Sequence, residues 1–313
     1  MQNVYKKLLG ISFTLGSLSL QAQQDPMYTH YMYNTLVVNP AYAGSRDALT
    51  VTALHRSQWV SFKGAPQTET MTFHTPLRNN KLAIGMYALN DRIGPINNTS
   101  VFGDFAYRLR INSKSRLAFG LSAGVRVTQA RLSSLDLEQE SDPAFTNNIV
   151  NKTNPNCGFG VYYSRERFYL GASVPYIFQN KFSDIKLNDG TVLAGQEQRH
   201  YFVIAGTVLN ISNNLALKPT TLVKLTPAAP IEADLTAQLV YANKLSLGAN
   251  YRTGDSFGAL IGFNITPQLF LGYSYDWSYG LKTSRYNNGS HEIVLRYDFL
   301  PGEMKQIHSP RHF

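Results

Sequence analysis

Apolar residues alternate with small or polar residues along much of this 313-residue chain. Residues 269–280 carry Leu, Tyr and Trp at the odd positions, whereas Gly, Ser and Asp fill most of the even positions. Residues 117–128 and 291–299 follow the same period of two. Successive side chains of a β-strand point to opposite faces, so the pattern predicts long two-faced strands. Helical patterns are nearly absent.

The length of these strands separates two classes of all-β protein. A water-soluble sandwich also alternates, but its strands usually have about 5 or 6 residues. The runs here reach about 9 to 11 residues, with one apolar face and with Tyr and Trp towards their ends, as in strands that cross a bilayer at a tilt. We therefore expect a transmembrane outer-membrane β-barrel whose apolar face contacts lipid. A soluble β-protein is the alternative.

About fourteen antiparallel strands are expected, and an even number suits a single-chain bacterial barrel. The segments that carry the pattern are 49–60, 68–75, 81–91, 100–111, 116–132, 156–165, 167–178, 198–211, 215–226, 231–242, 244–253, 256–266, 268–280 and 291–299. Short turns alternate with longer loops such as 90–99, although "TPAAP" and "TGDS" are short for the outer side. Short turns of such barrels face the periplasm, and an even strand count then predicts that both chain ends do too.

The first residues are typical of a secretion signal peptide. Lys6 and Lys7 precede a short apolar run, and Ala22 is a suitable small residue before the cleavage point. The apolar run of about 13 residues is short for a membrane-spanning helix of about 20, although an uncleaved anchor is the alternative. The expected organisation is a signal peptide at 1–22, an N-terminal periplasmic or plug segment at 23–48, the barrel at 49–299 and a periplasmic tail at 300–313.

Charge and cysteine content exclude two classes of protein. The formal net charge is +9, but Lys and Arg are scattered through turns and alternate strand positions, without the clustered stripe that a phosphate backbone demands. We therefore expect no nucleic-acid partner. The single cysteine, Cys157, cannot form an internal disulfide, so this is not a small domain held together by disulfides.

Charged residues of both signs fall on the small and polar face of the predicted strands, which would line the barrel lumen. The predicted luminal network comprises Asp104, Arg108, Arg126, Glu232, Asp234, Arg252, Asp276 and Arg296. Buried charges are ordinarily kept in pairs, so a structural network that closes the barrel is one interpretation. A lining for a plug or a bound peptide is the other.

No arrangement of residues indicates catalysis. The chain has seven His residues, but none lies in a Gly-x-Ser-x-Gly or His-Glu-x-x-His setting, and the Gly-rich stretches do not open a helix that could cradle a phosphate. We expect no enzyme activity, no metal and no cofactor.

The segment "QDPMYTHYMYNTLVVNPAYAGSRD", residues 25–48, is too apolar for a solvated tail. Pro40 and Gly44 interrupt it before any long regular element could form. Its apolar face should pack at the periplasmic mouth, either as a plug or merely on the rim of the barrel. The candidates for plug or partner contacts are Tyr28, Tyr31, Met32, Leu36, Pro40 and Tyr42.

The stretches "QQDPMYTHYMYNTLVVNPAYAGS" and "ALHRSQWVSFKGAPQT" closely resemble the start of the PorP/SprF family of type IX secretion system membrane proteins. The ending "SPRHF" resembles the tail of that family, except that His312 replaces an expected Tyr. The resemblance extends over essentially the whole mature chain, and it is most specific at the N-terminus.

This resemblance implies an outer-membrane barrel of a Bacteroidetes bacterium that works with the secretion and gliding motility apparatus. Some members of the family receive the C-terminal domain of a large secreted adhesin for secretion or surface anchoring. Others link the periplasmic secretion components to the outer membrane. The expected partners are therefore outer-membrane lipid together with such an adhesin or such components. An outer-membrane channel for small solutes and a barrel enzyme such as a lipase are the alternative functions.

Overall fold

The computed structural model describes residues 25–78, 80–134, 148–186, 192–227, 229–279 and 285–299. The strands are β1 (Leu49–Ser57), β2 (Gln67–Pro76), β3 (Leu82–Ile93), β4 (Ile96–Arg110), β5 (Ser115–Ala130), β6 (Ile149–Arg165), β7 (Phe168–Val174), β8 (Lys181–Lys186), β9 (Val192–Gln196), β10 (Tyr201–Thr207), β11 (Leu209–Asn210), β12 (Leu215–Leu225), β13 (Glu232–Tyr241), β14 (Leu245–Arg252), β15 (Ser256–Asn264), β16 (Leu269–Ser278) and β17 (Ser290–Phe299).

Apart from β8 and β9, the strands form a closed antiparallel barrel in which neighbouring strands of the wall follow one another along the chain. The first and last strands close it, with Leu49 opposite Phe299 and Ser57 opposite His291. Strands β10 and β11 together make one wall position, because both pair with β12 on either side of a gap at Val208. Pro219 lies opposite Thr207, at the edge of this gap, and has no backbone N–H to donate, which accounts for the interrupted ladder. The wall therefore has fourteen strand positions, as the sequence predicts.

Two connections contain more strand than the alternation of apolar and polar residues predicts. Residues 90–99 do not form a long loop, because β3 and β4 continue until only Gly94 and Pro95 connect them. The side chain of Asn90 donates hydrogen bonds to Asn97 (3.0 Å) and Thr99 (2.9 Å), so polar residues extend this hairpin. Strands β8 and β9 form a separate hairpin within the connection from β7 to β10. The alternation of apolar and polar residues did not predict this hairpin.

The two ends of the barrel differ in the length of their connections. At one end, here the short-turn end, the connections are 77–81, 111–114, 166–167, 211–214, 242–244 and 265–268. At the other, here the long-loop end, they include 58–66, 131–148, 175–200 and 279–289. The outer face between the ends is apolar and exposed, with aromatic side chains near both rims, among them Tyr107, Tyr241, Trp277 and Tyr297. This distribution is typical of membrane barrels with aromatic girdles.

Helices are few and short. Thr35–Val38 form a single α-helical turn, and Pro40–Tyr42 form a 3₁₀ turn whose preceding residue, Asn39, accepts a hydrogen bond from the Ala41 N–H (2.9 Å). Among the described residues, no helix has both the length and the apolar character to cross a membrane. Both turns belong to the N-terminal segment, residues 25–48, which runs inside the closed sheet.

Candidate functional site in the barrel lumen

The N-terminal segment contacts strands on all sides of the barrel. Every residue from 27 to 44 is buried. Its side chains reach β2 through Asn34 and Thr70 (3.0 Å), β12 through Tyr31 and Thr220 (3.0 Å), and β13 through Tyr33 and Gln238 (3.1 Å). On the facing wall, the carbonyl of Val161 in β6 accepts from the Asn39 side chain (3.1 Å), and the hydroxyl of Ser173 in β7 donates to the Val38 carbonyl (2.6 Å).

Glycines on the inner face make room for this segment. A Cβ atom at Gly120 would collide with the backbone of Pro40 and Ala41, and one at Gly160 would collide with the Asn39 side chain. By contrast, a Cβ at Gly103, on the outer face, would meet nothing within 4 Å. Gly120 and Gly160 are therefore matched to the course of the segment along β5 and β6.

A buried ion cluster fixes the segment near the long-loop end. Arg56 of β1 donates to Asp276 of β16 (2.7 Å) and to Glu292 of β17 (3.1 Å). Glu292 also accepts the backbone N–H groups of Thr29 (2.9 Å) and His30 (2.6 Å). These five residues are here called the Arg56 cluster, and all of them are at most 1% exposed. Because the cluster joins β1, β16 and β17, it holds the segment at the seam where the barrel closes.

The first described residue of the segment lies closer still to the long-loop end. The carboxylate of Asp25 accepts from Arg126 of β5 (3.1 Å) and lies 2.7 Å from the His200 ring. Arg126 also donates to Glu197 (3.0 Å), in the connection that leads to β10. A cavity of about 130 Å³ adjoins Asp25 here, and its lining includes Leu89, Ile93 and Tyr176.

Three further ion pairs hold the other end of the segment at the short-turn end. Arg46 binds Asp298 of β17 with two hydrogen bonds (2.9 and 2.8 Å), and Thr50 donates to the same carboxylate (2.7 Å). Asp47 binds Arg108 of β4 and Arg116 of β5, the latter with both carboxylate oxygens (2.6 and 2.8 Å). Burial alone would raise the pKa of the Asp47 carboxyl, but the two guanidinium groups outweigh burial and hold this pKa below its ordinary value.

The structure brings the six N-terminal candidates together inside the lumen. Each of them is buried: Tyr28, Tyr31, Met32, Leu36, Pro40 and Tyr42. The ring of Tyr42 packs edge-on against His74 (5.3 Å between centroids) and Tyr162 (5.5 Å). Their role as a plug or a partner site is taken up below as a proposal.

The eight predicted luminal charges all lie on the inner face, but they do not form a single network. Asp234 pairs with Arg252 (2.8 Å), whereas Glu232 pairs with Lys224 (2.7 Å). Arg296 lies 3.5 Å from Asp298. The remaining partners of Arg108, Arg126 and Asp276 include the N-terminal segment or the Arg56 cluster, as described above. Asp104 is the exception, since neither of its carboxylate oxygens has a hydrogen-bond partner among the described residues.

Residues 25–48, which were expected at the periplasmic mouth, are not confined to one end of the barrel. The segment begins beside Arg126 and His200 near the long-loop end and reaches the short-turn end only at Arg46 and Asp47. The start of β1 and the end of β17 share the short-turn end, as the even strand count requires. The described chain nevertheless starts near the opposite end, where Arg126 binds the Asp25 carboxylate and the His200 ring lies beside it.

Several charged residues that organise the lumen were missed from the sequence. Arg56 could have been found, because it continues the inward-facing series of Thr50, Thr52 and Leu54 along β1. Asp25, Arg46 and Asp47 carry no such signal, since they lie outside the strands. Among the described residues, no group of three or more His, Cys, Asp or Glu side chains could hold a metal ion.

A protein-family model matches most of the chain. The family model described as type IX secretion system membrane protein PorP/SprF matches residues 20–297. The comparison with curated proteins returns no match.

Several solved structures of membrane barrels match at low identity. The outer membrane protein Omp33 of Acinetobacter baumannii shares 12% identity, with 81% of this chain and 99% of that chain covered and a TM-score of 0.44. A Pseudomonas aeruginosa FadL homologue shares 12% identity, with 84% and 93% covered and a TM-score of 0.47. The monoaromatic hydrocarbon channel CymD shares 11% identity, with 88% and 94% covered and a TM-score of 0.46.

Proposed function

Because the chain belongs to the PorP/SprF family of type IX secretion system membrane proteins, and forms a closed barrel of the outer membrane, we propose that it is a non-enzymatic barrel of that secretion apparatus. In this role it assists the secretion or surface anchoring of a large adhesin, or it links the periplasmic machinery to the outer membrane. The short-turn end then faces the periplasm and the long-loop end faces outwards.

One observation carries the proposal: residues 25–48 fill the lumen along most of its length. A solute channel needs a wet path between its two mouths, and apolar side chains packed across a pore exclude water from it. The burial of Tyr28, Tyr31 and Leu36, together with ion pairs at both ends of the segment, supports a plug rather than a lining that adapts to passing solutes. On this proposal, the barrel wall supplies a fixed surface for protein partners, and the plug keeps the membrane sealed.

Deletion of residues 25–44 tests the plug. The variant should still insert, because closure depends on pairing between β1 and β17 and the segment contributes no lipid-facing strand. Planar-bilayer conductance should rise above that of the full mature chain, since the apolar filling of the lumen is gone. Insertion of the variant with no rise in conductance would contradict the plug, and high conductance of the full chain would favour a channel for small solutes.

A second experiment tests the role in secretion. The tagged protein should be purified from its native outer membrane, and the proteins that accompany it should be identified. Recovery of a large secreted adhesin or of periplasmic secretion components supports the proposal. Absence of both, with normal display of surface adhesins in cells that lack the protein, would contradict it.

A further inference from the structure

Exposed basic residues are concentrated on one half of the short-turn end. They belong to three turns, which connect β2 to β3, β4 to β5 and β6 to β7. The exposed cations of these turns and the strand ends beside them are Arg78, Lys81, Arg110, Lys114, Arg165 and Arg167, here called the basic arc. Among the described residues of the three turns there is one acid, Glu166. The arc therefore carries a clear excess of positive charge.

The order of strands around the barrel places these three turns side by side. Strands β2 to β7 are consecutive in the wall. The backbone N–H of Arg108 in β4 donates to the Lys81 carbonyl (2.6 Å), which joins the β2–β3 turn to the strand that leads into the β4–β5 turn. The ammonium of Lys114 lies 3.9 Å from the Glu166 carboxylate, which joins the second turn to the third. The arc is thus a continuous surface.

The other half of the same rim is nearly neutral. Its three turns, 211–214, 242–244 and 265–268, are all described and contain a single charged residue, Lys244. Anionic lipid headgroups surround a barrel on every side, so cations that served lipid binding would be expected around the whole rim. A one-sided arc instead fits a partner that approaches from one side.

We propose that the basic arc is the docking surface for an acidic face of a periplasmic protein. This inference rests on the proposed function, because it takes the short-turn end to be periplasmic and the barrel to serve a machine with periplasmic parts. Complementary charge on the two surfaces would steer the partner to the barrel and set its orientation. The attraction should be screened strongly by salt, since the arc is exposed.

Two variants with equal changes in net charge test the arc. One carries Arg78→Glu and Arg167→Glu, and the control carries Asn213→Glu, Asn214→Glu and Lys244→Glu on the opposite half of the rim. Both should fold, because these side chains are exposed and lie in or beside turns. The full mature chain, in phosphatidylcholine nanodiscs, should bind fluorescent poly-glutamate in a salt-dependent manner. The arc variant should bind it about tenfold more weakly, and the control should bind as the unaltered protein does.

Equal weakening in the two variants would overturn the proposal. The proposal would also be overturned if poly-glutamate binding depended on the phosphatidylglycerol content of the nanodisc and not on the charges of the arc, since this dependence would identify a lipid site. A periplasmic extract provides the second measurement: the unaltered protein and the control should retain an acidic protein that the arc variant loses. If the arc variant retains the same proteins as the control, the basic arc is not the docking surface. The proposed function would still stand if deletion of residues 25–44 raises the conductance and an adhesin is recovered with the tagged protein.

Discussion

The two faces of the barrel wall follow the same alternation but meet different surroundings. His55 and Arg56 are consecutive residues of β1: His55 points outwards and is exposed, whereas Arg56 points inwards and is 1% exposed. The outer face meets fluid lipid tails, which adapt to any apolar side chain. The inner face meets one fixed polypeptide, and its residues must match that polypeptide in shape and charge. Substitutions on the inner face should therefore lower the free energy of unfolding much more than similar substitutions on the outer face.

The largest effect is expected at the Arg56 cluster. Arg56→Ala would leave the carboxylates of Asp276 and Glu292 buried without their cation, and loss of one partner of a buried ion pair costs about 3 to 5 kcal/mol. His55→Ala removes exposed contacts of the ring with Glu69 and Ser57 and should cost less than about 1 kcal/mol. The free energy of unfolding of both variants, measured in liposomes with denaturant, checks the difference. Similar values for the two would mean that the inner face is no more demanding than the outer one.

The contrast between the faces also explains what the sequence could reveal. Alternation depends on the geometry of a strand, so it predicted fourteen wall positions and the inward direction of Asp104, Asp234 and Arg296. It carries no information about a segment that has no period. The course of residues 25–48 through the lumen is determined by tertiary partners such as Arg126 and Asp298, which lie far away in sequence. The apolar content of the segment predicted that it packs against something, but not where.

A smaller effect is expected from adding one methyl group to a glycine. Gly120→Ala would force its Cβ into the backbone at Pro40 and Ala41, and overpacking of this kind typically costs about 1 to 3 kcal/mol. Gly103→Ala places the same atom in open space on the lipid side and should be nearly neutral. Limited proteolysis of the segment should be faster in Gly120→Ala than in Gly103→Ala, because the clash pushes the segment off the wall. Equal rates would show that the segment does not rest against β5.

The smallest effect is the pH dependence of the ion pairs that Asp47 forms at the short-turn end. The pKa of the Asp47 carboxyl lies below its ordinary value because of Arg108 and Arg116, so the ion pairs stabilise the folded protein fully above about pH 4. This contribution is lost as the pH falls through the lower pKa of the folded state. The difference in free energy of unfolding between the unaltered protein and Asp47→Asn should therefore be constant near neutral pH and should shrink below pH 4. Most other carboxyl groups titrate equally in both proteins and cancel from this difference. A difference that persists undiminished at about pH 2 would mean that shape, and not charge, holds this end of the segment against the inner face.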